Sequence, residues 1–437
     1  MPKKSVNPLH IAIDARMYGT AQRGIGRYLM KLIEHLEKID PPPQSSPTRG
    51  EEIAGNSPPL VGGVRGGGNC FTIFLRRANF EEYIPRNPNF TKALWDVPWY
   101  GWREQMQNAG CRMQNVDLVH FPHWNVPLFF RRPFVVTIHD LELFSSNRTR
   151  KNTTRGRAVY WLKHLAFRIV FRHAVLASKA IIVPSNAVRE QLLDQYPQAR
   201  KKVQVIYEAP TIKGIGYRVK GIEKTYPVTI PYYLYPTPYI LYVGAAYPHK
   251  NLPRLLEAWS IVHAQLPDYK LVLVGREDFF WKKLKQQREH NPSQPPLTLR
   301  GGDDRNPPLK VRGGRGSYDQ QNHVIFYGAA SDDELAALYK NAALLVQPSL
   351  EEGFSLPPLE ALAHGTPAAV SDIPVHREIL DKAAAYFNPL DPAAMAKNIT
   401  DALQNPAAAP LPRAYSWKAN AEQTLAIYAT AIKTNYA

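Results

Sequence analysis

Residues 347–380, QPSLEEGFSLPPLEALAHGTPAAVSDIPVHREIL, predict a loop, a helix and a strand in immediate succession. The apolar residues 342–346 come just before them and are typical of a buried parallel strand. Pro357 and Pro358 suit the first turn of a helix, and Gly365 suits the position just after its end. The sequence therefore predicts a strand–loop–helix–strand unit. Its loop is expected at the carboxyl edge of a sheet, where open α/β sheets bind ligands.

Two carboxylates stand out in this unit. Glu352 lies in the predicted loop, and Glu360 lies eight residues further on, inside the predicted helix. The partial positive charge at the start of that helix favours a phosphate. The backbone amides that approach it belong to Gly353, Phe354, Ser355 and Leu356. The residues alone leave a second interpretation open, in which Glu352 caps the helix and Glu360 is a solvated helix residue.

The segment EGFSLPPLEALAHGTP resembles the E-x7-E pattern of the retaining glycosyltransferases of family 4, also called glycosyl transferases group 1. The resemblance implies that Glu352 lies beside the donor sugar and that Glu360 holds the nucleotide ribose. It implies an α/β fold of the GT-B type, with two Rossmann-like domains facing across a cleft. The C-terminal helix is then expected to cross back to the N-terminal domain.

Length and composition limit the possible classes. A chain of 437 residues can form two domains with separate cores, and a formal net charge of +17 suits anionic partners. The two cysteines, Cys70 and Cys111, imply neither a disulfide framework nor a zinc site. The start of the chain lacks the apolar core of a signal peptide, so a cytoplasmic protein is expected. No RNA-binding or helix-turn-helix pattern accompanies the charge, so we expect no nucleic-acid partner.

A glycine pair follows the first predicted strand, residues 9–15. Gly24 and Gly26 precede an amphipathic helix, and glycines in such a place let the backbone approach a ligand closely. A simple tight turn is the alternative. The segment GIGRYL resembles the N-domain loop that faces the donor diphosphate in the family, which makes Gly24 and Gly26 candidate donor-binding residues.

A histidine–aspartate pair ends the predicted strand at residues 133–138. A histidine at the carboxyl end of a parallel strand is well placed to face a ligand, although it can equally be hydrogen-bonded in place for structural reasons. The pair resembles the family's HD motif, which implies that His139 is catalytic and contacts the donor sugar, and that Asp140 orients it. His120 and His123, at the neighbouring strand end, are secondary candidates.

Lys250 lies between a predicted strand at residues 239–243 and an amphipathic helix. A lysine there can neutralise a diphosphate as a point charge, or it can be an exposed residue beside a helix cap. The pattern GxxxxxKN resembles the donor-phosphate motif of the family and favours phosphate binding. Two positions depart from the family. Ala245 replaces a basic residue that many members carry, and Glu208 in VIYEAP is a position to which we assign no role.

Two segments rich in proline and glycine, residues 41–69 and 292–321, cannot bury enough apolar surface to fold and are predicted to be disordered inserts. Each insert interrupts a predicted domain, which continues after it. We predict an acceptor-side N-terminal domain at 1–215, a nucleotide-sugar-binding domain at 236–415 and a final helix at 416–437 that packs back on the first domain.

A basic segment lies between Ser145 and Arg189, with no acid and ten Lys or Arg residues. A helix predicted at 158–178 carries aromatic residues among these charges. It can attach residues 148–172 to an anionic membrane surface, or it can pack an aromatic face on the sheet, and both interpretations stay open. Attachment would place the protein peripherally at the inner face of the plasma membrane, where lipid-linked acceptors occur.

The chain contains no Asp-x-Asp triplet, the motif by which another transferase fold holds a metal on the diphosphate. Lysine, backbone amides and a helix dipole are left to stabilise the leaving diphosphate, so we expect neither a metal nor a cofactor. The predicted function is metal-independent, retaining transfer of a sugar from a nucleotide-diphosphate sugar to a glycan or lipid-linked hydroxyl. Resemblance suggests mannose. A sugar-nucleotide epimerase or hydrolase of the same fold, and a non-catalytic basic membrane-surface scaffold, are the alternatives.

Overall fold

The computed structural model describes residues 9–19, 23–39, 69–99, 104, 115–144, 157–211, 238–289, 317–319, 323–406 and 409–433. Its tertiary contacts divide the chain into two compact units. Unit 1 consists of Met1–Leu141, Arg155–Glu208 and Tyr415–Ala437, and unit 2 consists of Glu142–Thr154 and Ala209–Ala414.

Helices contribute to both units. In chain order they are α1 (Arg23–Ile39), α2 (Arg157–Ala177), α3 (Asn186–Gln195), α4 (Leu252–Gln265), α5 (Phe279–Glu289), α6 (Asp332–Asn341), α7 (Leu356–Ala363), α8 (Pro374–Leu380), α9 (Pro392–Gln404) and α10 (Trp417–Lys433). Helices α1, α2, α3 and α10 belong to unit 1, and the others belong to unit 2.

Unit 1 is built on a parallel sheet of seven strands. They are β1 (His10–Asp14), β2 (Cys70–Leu75), β3 (Phe90–Leu94), β4 (Leu118–Phe121), β5 (Phe134–Thr137), β6 (Ala180–Val183) and β7 (Val203–Val205). Their spatial order is β3-β2-β1-β4-β5-β6-β7. Every residue of β4, β5 and β6 is buried. Helices cover both faces of such a sheet, which explains why its central strands are continuous apolar runs in the sequence.

Unit 2 repeats this architecture. Its strands are β8 (Tyr239–Val243), β9 (Lys270–Val274), β10 (Ser317–Asp319), β11 (Val324–Gly328), β12 (Leu344–Gln347), β13 (Ala368–Ser371) and β14 (Ala385–Phe387), in the order β10-β11-β9-β8-β12-β13-β14. All pairs are parallel except β10 with β11. The strand order reverses between β1 and β4 in unit 1 and between β8 and β12 in unit 2. Such reversals are where doubly wound sheets bind ligands.

The predicted α/β class, with two Rossmann-like units and a last helix that returns to the first, is confirmed. Helix α10 packs within unit 1 although it ends the described chain. The hydroxyl of Tyr428 on α10 lies 2.6 Å from Nδ1 of His120 on β4. The ring of Trp417 lies 6.1 Å from that of Tyr28 on α1. These contacts place α10 against the core of unit 1.

The predictions for the two inserts compare differently with the structure. Residues 41–69 lie outside the described residues except Asn69, whose side chain accepts a hydrogen bond from the Leu9 amide at 3.3 Å. Of residues 292–321, only Ser317–Asp319 are described, and they form strand β10. The prediction of disorder is wrong at this end of the segment, because backbone pairing with the edge strand β11 stabilises a stretch that could not fold alone.

The helix predicted at 158–178 is α2, Arg157–Ala177. Strand β3 is not predicted by the sequence, because an edge strand with exposed and half-buried residues lacks a continuous apolar run. Over the residues that the structure describes, none of the helices has the length and apolarity needed to cross a membrane.

Candidate active site

Lys250 and Glu352 lie on neighbouring strand ends at the reversal point of the unit 2 sheet. Lys250 follows β8 in a 3-10 turn, Pro248–Lys250, and Glu352 follows β12. Asn251 ends the turn in the left-handed conformation, with φ of 60°. Its side-chain amide donates to the carbonyls of Pro348, at 3.1 Å, and Pro389, at 2.7 Å. These bonds fix the lysine turn to the loop that carries the glutamate.

The two side chains form a direct ion pair. Nζ of Lys250 lies 2.7 Å from Oε2 of Glu352, and the side chains are 18% and 8% exposed. The other carboxylate oxygen of Glu352 accepts from Ser349 Oγ at 2.7 Å and from Gln347 Nε2 at 3.0 Å. Neither open alternative describes this arrangement: Glu352 does not act as a simple helix cap, and Lys250 is not a solvated lysine.

The electrostatic environment keeps Glu352 ionised. Burial by itself raises the pKa of this carboxyl group, but the Lys250 ammonium, aided by Ser349, outweighs burial and lowers the pKa to about 2. A buried carboxylate whose pKa is shifted by a specific cation makes this pair a candidate functional site. The pair therefore provides one fixed negative and one fixed positive charge at the ligand-binding edge of the sheet.

His376 lies behind this loop and is not predicted by the sequence. Its Nδ1 lies 2.8 Å from the carbonyl oxygen of Ser371, and its Nε2 lies 3.1 Å from Oγ of Ser355. Burial lowers the pKa of His376, so the ring is neutral. Since a carbonyl can only accept, Nδ1 carries the proton and Nε2 accepts from the Ser355 hydroxyl. His376 thus holds Ser355, which has a φ of 69°, at the start of α7.

The amides predicted to bind a phosphate lie at the beginning of α7. Ser355 is the N-cap residue, but its hydroxyl contacts His376 and does not cap the helix. Pro357 and Pro358 have no N–H group, so Leu356 is the last residue with a backbone N–H before them. Gly353 and Phe354 lie in the turn that leads into the helix, and Phe354 is buried. The four predicted positions are thus brought together at one helix end, close in sequence to Glu352.

Glu360 is in α7 but is not solvated, since only 2% of it is exposed. Its carboxylate accepts from the Tyr339 hydroxyl at 2.9 Å and from the Thr211 amide at 3.4 Å. The alternative of a solvated helix residue is therefore wrong. The role at a ribose that the resemblance implies remains a prediction, and Tyr339 is a partner that sequence reasoning missed.

Gly24 and Gly26 lie in the first turn of α1, which begins at Arg23, rather than in a loop before it. The first amides of a helix have no intrahelical acceptor, so glycine is tolerated there without a special backbone conformation. Gly24 is exposed, and a methyl group added to it would meet nothing within 4 Å. Gly26 is buried. Strand β1, which precedes them, borders the reversal point of the unit 1 sheet.

Three histidines gather at the carboxyl ends of β4 and β5 in unit 1. His120 is fully buried between the hydroxyls of Tyr428 and Thr137, and burial, followed by the charge of His139, lowers its pKa to about 3. These bonds indicate a structural role. Nδ1 of His123 accepts from the Asn125 amide at 3.3 Å, and burial also lowers the pKa of His123.

His139 is partly buried, with 14% of its side chain exposed, whereas His120 is fully buried. Its Nδ1 lies 3.2 Å from Oε1 of Glu208, and its Nε2 lies 3.1 Å from the carbonyl oxygen of Pro122. Asp140, predicted to orient His139, is exposed, whereas the carboxylate against the ring is that of Glu208. Glu208 is the departure from the family pattern to which the sequence assigned no role. In the structure, Glu208 is a carboxylate that contacts the ring of His139.

Among the residues that the structure describes, no group of three or more His, Cys, Asp or Glu side chains could hold a metal ion. The titratable side chains beside Glu352 include Lys250, which pairs with it, and the neutral His376.

Two doubly wound sheets, with a lysine–glutamate pair at the reversal point of the second, are the architecture expected of a glycosyltransferase of the GT-B class. Two family models match successive parts of the chain: Glycosyltransferase Family 4 over residues 71–209 and Glycosyl transferases group 1 over residues 236–424. The chain belongs to this glycosyltransferase family and is an enzyme.

Curated relatives agree with this assignment, and solved structures share the fold. The O-antigen chain mannosyltransferase RfbU of Salmonella typhimurium is 26% identical over 70% of this chain and 71% of its own length. The O-antigen chain mannosyltransferase B of Escherichia coli is 25% identical over 66% of this chain and 65% of its own length. Sucrose-phosphate synthase from Thermosynechococcus elongatus has a TM-score of 0.59 at 18% identity, with 98% of both chains covered. WaaG, a glycosyltransferase of lipopolysaccharide biosynthesis, has a TM-score of 0.55 at 15% identity, also with 98% of both chains covered.

Proposed function

We propose that the enzyme transfers mannose from a nucleotide-diphosphate mannose to a hydroxyl group of a glycan or lipid-linked glycan, with retention at the anomeric carbon and without a metal ion. The relatives RfbU and O-antigen mannosyltransferase B, which are named as mannosyltransferases, support the choice of sugar. Their names refer to an O-antigen chain, which supports a polysaccharide acceptor. Retention is what the resemblance to family 4 implies.

The observation that carries this proposal is the ion pair of Lys250 with Glu352 at the reversal point of the unit 2 sheet. Without a donor, Lys250 neutralises the buried carboxylate. A diphosphate that binds beside the start of α7 can accept hydrogen bonds from the Lys250 ammonium. The three N–H groups of the ammonium can donate to the phosphate and to the Glu352 carboxylate at the same time. The negatively charged diphosphate then lies beside the positively charged Lys250, and the Glu352 carboxylate lies close to the sugar.

The chemistry then depends on charge rather than on a covalent protein intermediate. The bond from the anomeric carbon to the diphosphate oxygen breaks with its electron pair on the diphosphate, the acceptor oxygen bonds to that carbon, and the acceptor proton passes to the leaving diphosphate. Negative charge develops on the leaving diphosphate, where Lys250 and the amides of Ser355 and Leu356 can stabilise it. Positive charge develops on the sugar, where the carboxylate of Glu352 can stabilise it. Fixed groups aimed at developing charge account for a large part of many enzymatic accelerations.

Donor identity is tested by thermal unfolding in the presence of GDP-mannose, UDP-glucose or ADP-glucose, each with and without EDTA. We expect GDP-mannose to stabilise the protein most and EDTA to leave the shift unchanged. A ligand at a hundred times its dissociation constant adds about 2.7 kcal/mol to the free energy of unfolding. The Lys250→Ala variant should lose most of this shift, and Lys340→Ala, an exposed lysine of α6, should keep it.

Several outcomes would contradict the proposal. They are the absence of stabilisation by any nucleotide sugar, an equal shift in Lys250→Ala, or a shift abolished by EDTA. Donor consumption without any glycan acceptor would identify an epimerase or a hydrolase instead.

A membrane-bound acceptor is the second part of the proposal, and it concerns helix α2. In the described part of this helix, Leu165 and Ile169 are 57% and 49% exposed, one helical turn apart. Arg168 and Arg172 on the same helix are also exposed. Apolar side chains beside basic ones suit the surface of an anionic bilayer, whereas the other face of α2 packs inward through Phe171. Membrane attachment and packing on the sheet are therefore compatible interpretations of α2, because each uses a different face of the helix.

Membrane attachment is tested by sedimentation with vesicles of phosphatidylglycerol and phosphatidylcholine. We expect binding that weakens as salt is raised, since the attraction between exposed charges is screened. Each arginine near an anionic surface contributes about 1 kcal/mol, so the double variant Arg168→Gln, Arg172→Gln should bind roughly tenfold or more weakly. The matched control is Arg200→Gln, Lys201→Gln, two exposed basic residues of unit 1 away from α2. Equal binding by the two double variants would contradict this use of α2.

A further inference from the structure

The first turn of helix α7 has no side-chain cap of the usual kind. A serine at the N-cap position ordinarily accepts a hydrogen bond from the backbone amide of the second or third helical residue. In α7 these two residues are Pro357 and Pro358, which have no amide proton. The hydroxyl of Ser355 therefore has neither of its usual partners, and it contacts the ring of His376 instead.

The backbone of Ser355 adopts a conformation that serine does not favour. Its φ of 69° is left-handed, a region that glycine enters freely but where the Cβ atom of other residues comes too close to the following carbonyl oxygen. Asn251, which follows Lys250, is also left-handed, with φ of 60°, but asparagine is one of the residue types that tolerate this region. Serine lacks that tolerance, so a contact outside its own backbone has to stabilise Ser355.

His376 provides this contact. Its Nε2 accepts from the Ser355 hydroxyl at 3.1 Å, and its Nδ1 donates to the carbonyl of Ser371, the last residue of β13, at 2.8 Å. The ring is fully buried, and only 6% of Ser355 is exposed. Burial lowers the pKa of His376 although the charge of Glu352 opposes this shift, so the ring is neutral and Nε2 remains an acceptor. One strand end of the sheet thus holds the start of α7 through a single histidine.

We propose that His376 is a positioning residue for the donor diphosphate: it holds Ser355 in the left-handed conformation and thereby keeps the backbone amides of Ser355 and Leu356 oriented to bind the phosphates. The φ and ψ angles of Ser355 set the angle between these two amides, so a return to negative φ would turn one of them away. Amides at a helix start bind anions because they have no intrahelical acceptor. His376 is fully buried and acts through Ser355. In identifying the anion as the diphosphate of the donor, the assignment rests on the proposed function.

Two substitutions of Ser355 separate support of the backbone from direct binding by the hydroxyl. Ser355→Ala and Ser355→Gly both remove the hydroxyl, but only glycine adopts a positive φ at no steric cost. The probe is inorganic pyrophosphate, titrated calorimetrically into the full chain with EDTA present. We expect Ser355→Ala to bind pyrophosphate roughly tenfold more weakly than the native protein, the scale of the penalty for a left-handed residue that carries a Cβ atom. Ser355→Gly should bind it within about threefold of the native affinity.

Replacement of His376 tests the other partner of this hydrogen bond. His376→Leu has an apolar side chain without an acceptor nitrogen, and it should weaken pyrophosphate binding roughly tenfold, as Ser355→Ala does. In the double variant Ser355→Gly, His376→Leu, the affinity should return to that of Ser355→Gly, because glycine needs no support at this φ. His263→Leu, which changes a half-buried histidine of α4, is the matched control and should bind pyrophosphate like the native protein.

Equal affinities of Ser355→Ala and Ser355→Gly, whether lowered or native, would overturn the proposal, since the backbone conformation would then have no part in binding. An equal effect of His376→Leu in the native and Ser355→Gly backgrounds would indicate a merely structural role and overturn it too, as would a native protein that does not bind pyrophosphate. If His376→Leu fails to fold, the two Ser355 variants still decide. GDP-mannose is titrated in parallel. If pyrophosphate shows the expected contrast and GDP-mannose does not bind, the proposed donor is wrong and the role of His376 stands.

Discussion

Replacement of Glu352 by alanine is expected to lower turnover by at least about a hundredfold, which is the scale of losing one electrostatic contact aimed at the transition state. The carboxylate is held by Lys250, Ser349 and Gln347, so it is preorganised and does not depend on solvent to orient it. The loss should appear in kcat, because the carboxylate acts on charge that develops only in the transition state. Steady-state kinetics with saturating donor and acceptor provide the measurement.

The fold should survive this change. The Lys250 side chain is 18% exposed, so its ammonium can turn to water when its partner is removed. Glu352→Gln, which keeps the size and the hydrogen-bonding oxygen, should be almost as inactive as the alanine variant. Glu257→Ala, an exposed acid of α4, is the matched control and should have native kinetics. Near-native turnover in Glu352→Gln would show that the negative charge has no part in the reaction.

Replacement of Lys250 by alanine should have two effects. Turnover should again fall by at least about a hundredfold, since the leaving diphosphate loses its positive charge. Unlike the glutamate variants, this variant should also be less stable, by roughly 3 kcal/mol, because it leaves a buried carboxylate without its cation. Activity and urea unfolding measured on the same preparation separate the two effects.

The pH dependence of stability tests directly whether Lys250 lowers the pKa of Glu352. The pKa of Glu352 is about 2 in the folded protein and 4.5 for an ordinary glutamate, so this group binds fewer protons when folded. Its contribution to stability is therefore fully present above about pH 4.5 and is lost as the pH falls towards 2. Lys250→Ala should flatten this part of the stability profile, and Lys340→Ala should not. An unchanged acid limb in Lys250→Ala would mean that the lysine does not determine the pKa.

The two stability effects should not add. Since the loss of Lys250 destabilises the protein only by leaving Glu352 unpaired, the double variant Lys250→Ala, Glu352→Gln should recover part of the stability that Lys250→Ala loses. Turnover should not recover, because both charges of the proposed mechanism are then absent.

Strands and site residues could be predicted from the sequence wherever local rules determine the structure. Central strands such as residues 133–138 are apolar because both faces are covered, and Gly365 has the positive φ, 80°, that a position after a helix end requires. Lys250 and Glu352 could be predicted because each follows such a strand. The pairing of the two strands, β8 with β12, then brings the side chains together.

Partners distant in sequence could not be predicted in this way. Glu208 reaches His139 across 69 residues, and Tyr339 reaches Glu360 across 21. Neither contact leaves a periodic or local signal in the chain. The position of Glu208 after the last strand of the unit 1 sheet was a usable signal, since all seven strands end at the same edge. Strand β10 could not be predicted from the sequence either, because its residues form a strand only by pairing with β11.

The position of helix α10 has a consequence for biosynthesis. Unit 1 combines residues that precede unit 2 with Tyr415–Ala437, which follow it, so the core of unit 1 is incomplete until the ribosome has translated α10. The hydrogen bond between Tyr428 and His120 joins residues 308 positions apart. Unit 2 is encoded between them and can fold as soon as it emerges, although nascent domains usually mature in order from the amino terminus. During synthesis, the strands of unit 1 therefore emerge before unit 2, but their core is completed only when α10 follows unit 2.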